Sequence, residues 1–265
     1  MSVYNHENFI PLQAGATIWR YLDLEKFKSL LKDQALFFCR ADKFSDPFEG
    51  SLPRKEAENR MKAERLAAER FGRDFNEEQA KQNIAGIQLL HQKLKSTTIV
   101  NCWHINENES DAMWRLYLKD NEGVAIQTNT SRIYHTIDAI PEKVGMSKVR
   151  YIDYDKEIWY HATEYPQTSY NLYTPLIHKR AEFRHESEFR LFIDVGEAVE
   201  NMSYWESQSN HKGRLVNVYL QDLIEKIYFP PTADSQAISL VKKVCKTFNY
   251  NFEFAQSKLS FEPMY

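Results

Sequence analysis

The chain is short of the residues from which dedicated metal and phosphate sites are built. Its three cysteines, Cys39, Cys102 and Cys245, are widely spaced and odd in number. They argue against a disulfide framework and fit a reducing compartment. No Cys-x-x-Cys or His-x-x-x-His spacing occurs, and His104, His178 and His185 fall in different blocks, so no metal site is expected. The eight glycines are not clustered, which leaves no Gly-rich phosphate loop. No apolar run approaches the roughly 18 residues that span a bilayer. The first residues are polar and charged where a secretory signal would need an apolar core. A cytoplasmic protein without a membrane partner is the expectation. A net charge of −3 speaks against a nucleic-acid coat, although a local basic groove stays compatible with it.

What is present is aromatic and apolar bulk: 43% of the residues are hydrophobic and 14% aromatic, enough for one large core over residues 1–265. Thr17 to Leu22 reads as a strand with Ile18, Arg20 and Leu22 on one face. Asp23 can cap a helix whose Leu24, Phe27, Leu30 and Leu31 recur at helical spacing. Leu36 to Cys39 is a second strand, followed by a charged, aromatic loop from Arg40 to Gly50 that Phe44 and Phe48 would anchor. From about residue 53 to 95 the composition turns to good helix formers, broken near Gly72, Asp74 and Asn76. That stretch predicts a two-helix insertion packed on the sheet or over it. Thr98 to Ile105 is an apolar strand, Ala112 to Leu118 a short helix capped by Ser110 or Asp111, and Val124 to Thr128 a further strand. Strands are also expected over Val149–Tyr154, Arg214–Leu220, Ile224–Phe229 and Tyr250–Phe254. A polar helix or loop is expected around Ser131 to Pro141, and helices within 155–176 and over Ala233–Phe248. The fold class is α+β, a mixed and largely antiparallel sheet with flanking helices.

One stretch concentrates the charge. From Lys179 to Ile193 the chain carries Lys179, Arg180, Arg184, Glu186, Glu188 and Arg190, and its second half alternates as a strand through Phe189, Leu191 and Ile193. If that strand reaches back to Glu186, then Glu186, Glu188, Arg190 and Phe192 share one face. Carboxylates that close to one another and to a guanidinium shift each other's pKa values. Such a cluster is either a functional site or a structural ion-pair network.

With these blocks in place the chain resembles a bacterial family, the domain-of-unknown-function 2971 family. The residues that carry the resemblance are Trp19-Arg20-Tyr21, Phe44 through Gly50, Cys102-Trp103, Met113-Trp114 with Tyr117, Gly123, Lys179 through Arg190, and Ile224 through Tyr228. Trp103-His104 departs from a commoner Phe-Ser pair, and Arg115-Leu116 from a small or polar pair. The family brings no established activity with it.

A more distant similarity is to the ADP-ribosyltransferase-like superfamily. The opening strand with Arg20, the amphipathic helix and the Leu-rich strand look like the start of that superfamily's split sheet, and Glu-Ser-Glu at 186–188 looks like the place of its catalytic carboxylate. The resemblance implies NAD as a substrate, with Glu188 as the catalytic carboxylate and Glu186 as its helper. Arg20 would hold the pyrophosphate, with Tyr21, Trp114 or Tyr117 stacking on the nicotinamide, and Asp46 and Arg190 at the same site. Two other readings stand beside it. One is a non-enzymatic binding or regulatory module, in stress or phage defence, using the Asp46–Glu49 loop and the aromatics around Trp103, Trp114 and Tyr117. The other is a nuclease whose Asp46, Glu49, Glu186 and Glu188 hold a divalent cation beside Lys179.

Overall fold

The computed structural model of the protein describes residues 2–118, 122–159, 173–195 and 211–261, the side chain of residue 57 aside. Strand β1 (Val3–Tyr4) leads to β2 (Thr17–Asp23), which alternates between two cores. Ile18 and Leu22 pack into the main core, while Trp19 and Tyr21 join Met113 and Trp114 on the other side. Helix α1 (Leu24–Asp33) starts as expected, with the Asp23 carboxylate accepting from the Lys26 amide and Leu24, Phe27, Leu30 and Leu31 buried. It ends at Gln34 in the left-handed region and enters β3 (Ala35–Arg40). Helices α2 (Arg54–Arg70) and α3 (Glu77–Thr97) occupy the stretch read as an insertion.

Strand β4 (Thr98–Ile105) follows α3 directly. The Ser110 hydroxyl caps α4 (Asp111–Tyr117), and β5 (Gly123–Asn129) runs into α5 (Thr130–Asp138), which Asn129 caps. Beyond α5 come β6 (Val144–Lys148), β7 (Arg150–Ile152), β8 (His178–Arg180) and β9 (Glu188–Asp194). The last elements are β10 (Gly213–Asn217), the single turn α6 (Leu220–Leu223), β11 (Lys226–Phe229), α7 (Ser235–Thr247) and β12 (Phe254–Gln256).

The main sheet runs β1-β6-β9-β4-β2-β5-β11-β12, with β3 and β10 branching from β4. Its β1–β6 and β11–β12 pairs are parallel and the rest antiparallel. The class is therefore α+β, with a mixed and mostly antiparallel sheet.

The branch is the feature that makes room. One edge of β4 is covered by β9 from Thr98 to His104. The other edge is shared: β2 pairs at its end through Trp19↔His104 and Ile18↔Ile105, and β3 at its start through Cys39↔Val100 and Arg40↔Ile99. Among the described residues, Asn101, Cys102 and Trp103 have no strand opposite them on that edge, so β2 and β3 splay apart and leave a notch. A carbonyl facing a notch still needs a donor. The Phe37 carbonyl accepts from Asn101 Nδ2 at 2.9 Å and from Arg20 Nη2 at 3.3 Å.

Several expectations needed correction. Residues 2–14 are more than a polar lead-in, because β1 pairs with β6. Strand β6 itself was not anticipated, since Gly145 and Ser147 dilute its apolar signal; Gly145 is there because a Cβ would run into the Phe192 ring. The strand expected from Val149 is only Arg150–Ile152. The strand expected to Leu220 stops at Asn217, although Val216, Val218 and Leu220 are all buried as the pattern implied. The final strand lies at Phe254–Gln256, and Tyr250 and Phe252 stack face to face in the connection before it. The helix expected within 155–176 falls largely outside the described residues.

Candidate functional site

Two cavities open on the notch side of the sheet and share a wall. The first, about 210 Å³, is lined by Arg20, Tyr21, Cys102, Tyr117, Glu186 and Glu188 among others. The second, about 360 Å³, lies beside it and is lined by Asp46, Glu49, Lys179 and Arg190. Phe44, Cys102, Tyr117, Glu186 and Glu188 belong to both linings.

The carboxylates reach this wall by a route the alternation did not foresee. Residues 181–186 form a tight helical turn, Ser187 adopts a left-handed conformation (φ 40°, ψ 60°), and β9 begins only at Glu188. Glu186 is thus not on the strand. The reversal at Ser187 nevertheless folds its carboxylate back toward that of Glu188. Both meet at the Lys179 ammonium, at 2.7 Å each, and Glu49 joins them at 3.0 Å. The second oxygens of Glu188 and Glu49 are held by Arg190, from Nε at 2.7 Å and from Nη2 at 2.6 Å. Arg190 Nη1 donates to the Leu176 carbonyl, which leaves the guanidinium satisfied within a dry environment.

Three carboxylates face two cations in this network, and an unmatched buried charge is costly. One proton resolves the imbalance, and Glu186 is the carboxyl raised far enough to exchange it near neutrality. Burial raises the Glu186 carboxyl to about 7, helped by its hydrogen bond and repulsion with Glu188 and opposed by Lys179. Burial pushes Glu188 the same way, but Arg190 and Lys179 outweigh it and hold that carboxyl well below the usual range. The Lys179 ammonium, despite its own burial, is raised by Glu188 and Glu49. The site therefore contains a permanent anion beside a carboxyl that titrates near neutrality.

Arg20 is the counterpart across the first cavity. Its guanidinium stands 5.8 Å from the Trp103 ring centroid, Nη2 donates to the Phe37 carbonyl, and Nη1 is buried with no hydrogen-bond partner. Burial lowers its pKa to about 10, with no carboxylate among the described residues to offset it. A half-buried cation with a spare donor is prepared for an anion.

The other anticipated residues sort by contact. Tyr117 lines both cavities and is 40% exposed, so its ring is free to meet a ligand. Tyr21 lines the first cavity, with its hydroxyl accepting from the Ser110 amide. Asp46 stands in the wall of the second cavity, with both oxygens occupied. Oδ1 accepts from the Phe48 amide and Arg180 Nη2, and Oδ2 from Arg180 Nε. Trp114 is not in either lining; it packs edge-on against Tyr21 at 5.0 Å and donates to Glu109. Two residues at the site were not anticipated. His104 Nδ1 donates to the Glu186 carbonyl at 2.7 Å, and the Tyr151 hydroxyl accepts from the Glu188 amide at 2.8 Å. Both act through backbone atoms, which no sequence spacing encodes.

The cation-binding reading loses its ligand set here. Lys179 Nζ occupies the point where Glu49, Glu186 and Glu188 converge. Among the described residues no group of three His, Cys, Asp or Glu is disposed to hold a metal ion. Nor, among them, is any helix long and apolar enough to cross a membrane.

Residues 113–191 match the family model of a protein of unknown function, DUF2971. The match bears out the resemblance drawn from the sequence blocks. It runs from α4 into β9 and takes in Tyr117, Lys179, Glu186, Glu188 and Arg190; Arg20, Asp46 and Glu49 precede the DUF2971 match. No curated protein matches the chain. Among solved structures, Thermus sp. 2.9 DarT in complex with carba-NAD+ is similar at 10% identity and a TM-score of 0.40, covering 94% of this chain and 98% of that one. A likeness this distant says nothing of individual residues.

Proposed function

We propose that the protein is an ADP-ribosyltransferase-like enzyme that takes NAD into the notch between β2 and β3. The observation that carries the proposal is the lining of one cavity by a half-buried guanidinium with a spare donor and by two carboxyls of split pKa. Arg20 meets the pyrophosphate, and the exposed Tyr117 ring meets the nicotinamide. As the nicotinamide–ribose bond breaks, nicotinamide leaves with the bonding electrons and becomes neutral, and the ribose carbon develops oxocarbenium charge. The fixed anion of Glu188 stabilises that charge. An acceptor nucleophile then forms the new bond to the same carbon and gives its proton to ionised Glu186, whose pKa near neutrality suits that transfer.

Release of nicotinamide from NAD tests the reading. Glu188→Gln should lower the rate by roughly 100-fold or more, the scale of losing electrostatic stabilisation in a dry site. Glu186→Gln should remove the rise in rate through neutral pH. Undiminished release by Glu188→Gln, in protein with unchanged circular dichroism, would end the proposal. One observation favours the binding-module reading instead: both Glu188 oxygens are already taken by Lys179 and Arg190. That reading predicts NAD binding with no release at all.

A further inference from the structure

A third cavity, about 240 Å³, lies across the notch and is lined by Arg20, Leu22, Lys26, Ser29, Phe37 and Leu215 among others. It shares Arg20, Leu22, Lys26 and Phe37 with the first cavity. The two therefore adjoin, and Arg20 lines both. Resting on the NAD reading above, we infer that this third cavity is the subsite for the adenosine half of the dinucleotide.

Size requires a second compartment. The first cavity, at about 210 Å³, is smaller than the roughly 300–1,000 Å³ that small-molecule sites occupy, so a dinucleotide anchored at Arg20 must extend beyond it. Charge decides the direction. The cavity on the other side is lined by Asp46, Glu49, Glu186 and Glu188 together with Lys179 and Arg190, and both of those cations are already engaged by its carboxylates rather than open to a phosphate. Among the described residues, the third cavity has two cations and no carboxylate in its lining. Asp23 and Asp33 stand beside it, bonded to Lys26 Nζ at 2.6 Å and to the Ser29 hydroxyl at 2.7 Å. The Lys26–Asp23 pair is solvent-exposed, with side chains 64% and 39% accessible. Such a pair contributes little and gives way readily to a phosphate.

The walls suit an aromatic base. Phe37 and Leu215 are cross-strand partners on β3 and β10, and they are 41% and 43% exposed. Large apolar side chains left open beside two cations match a ligand with a flat apolar ring and a phosphate on its other side. The acidic second cavity is then left for the acceptor, with Glu186 between the two substrates.

Calorimetric titration of the full chain with ADP and, separately, with nicotinamide mononucleotide tests the subsite. Leu215→Ala and Leu215→Glu change an exposed side chain that lines the third cavity and not the first, so folding is retained, which thermal melts verify. Each should weaken ADP on the order of tenfold, the scale of one lost contact worth about 1.4 kcal/mol, and leave nicotinamide mononucleotide unchanged. If the wild type binds both nucleotides and the variants leave ADP untouched, the subsite assignment falls while the NAD reading stands. If the variants weaken both alike, the two cavities are one undivided site and the assignment also falls. If the wild type binds neither nucleotide nor NAD, the NAD reading itself fails and takes this inference with it.

Discussion

Lys179 holds three carboxylates with one ammonium, and the physical consequence is measurable. Lys179→Met leaves Glu49 and Glu188 with Arg190 alone and strands Glu186. Removing one member of a buried ion network costs about 3–5 kcal/mol, so urea denaturation should show a loss of that size; a loss under about 1 kcal/mol would mean that the network rearranges freely. Glu186 behaves in the opposite sense. Its folded-state pKa, about 7, lies above the ordinary carboxyl value, so its proton favours folding at low pH and its ionisation opposes folding as pH rises toward neutrality. Glu186→Gln should therefore stabilise the protein at pH 8 by about 3 kcal/mol, since the rise from 4.5 to about 7 is two to three pKa units and each is about 1.4 kcal/mol. The gain should vanish below the ordinary carboxyl range. Glu188, held down by its two cations, contributes stability that is lost as pH falls, and comparing Glu186→Gln with wild type at each pH cancels that background. A stability difference that does not change between pH 4 and 8 would contradict the raised Glu186 pKa.

Among the elements, the turn at Ser187 decides where the carboxylates go. A non-glycine residue at φ 40° is strained by about 1–2 kcal/mol unless its surroundings impose the conformation. Here the Ser187 amide donates to Arg184 and its carbonyl accepts from Ile105, which pins the reversal. Ser187→Gly should leave melting temperature unchanged or slightly raised. Ser187→Val should lower it by several degrees, on the scale of 1–2 kcal/mol in a domain of this size, and should also shift the Glu186 titration; equal behaviour of the two variants would remove the role assigned to the turn. Alternation along 186–192 drew Glu186 and Glu188 together but gave Glu186 the wrong local geometry. Period-two patterning carries no information about a left-handed residue that only tertiary hydrogen bonds sustain. The notch is similar. Arg20 on an otherwise apolar strand was visible, but the sharing of one β4 edge by β2 and β3 is a property of register, not of either strand's composition.

For the whole molecule, periodicity was most informative where elements are long and amphipathic. The elements α1, α3, α7, β4 and β9 fall within a few residues of their expected places. It failed where pairing partners are remote, as for β1 on β6, or where aromatics stack in a connection, as at Tyr250 and Phe252. The gathering of Arg20, Tyr117, Glu186 and Glu188 around one cavity depends on that long-range topology. Their residue types suggested chemistry, yet only the branch in the sheet brings β2, α4 and β9 to a common hollow. Calorimetric titration of NAD into the purified chain asks most directly whether that hollow is a dinucleotide site. Saturable single-site heat, weakened on the order of tenfold in Arg20→Gln by loss of a charge-assisted contact, is the predicted result. A flat titration at millimolar NAD, or an Arg20→Gln isotherm identical to that of the wild type, would contradict it.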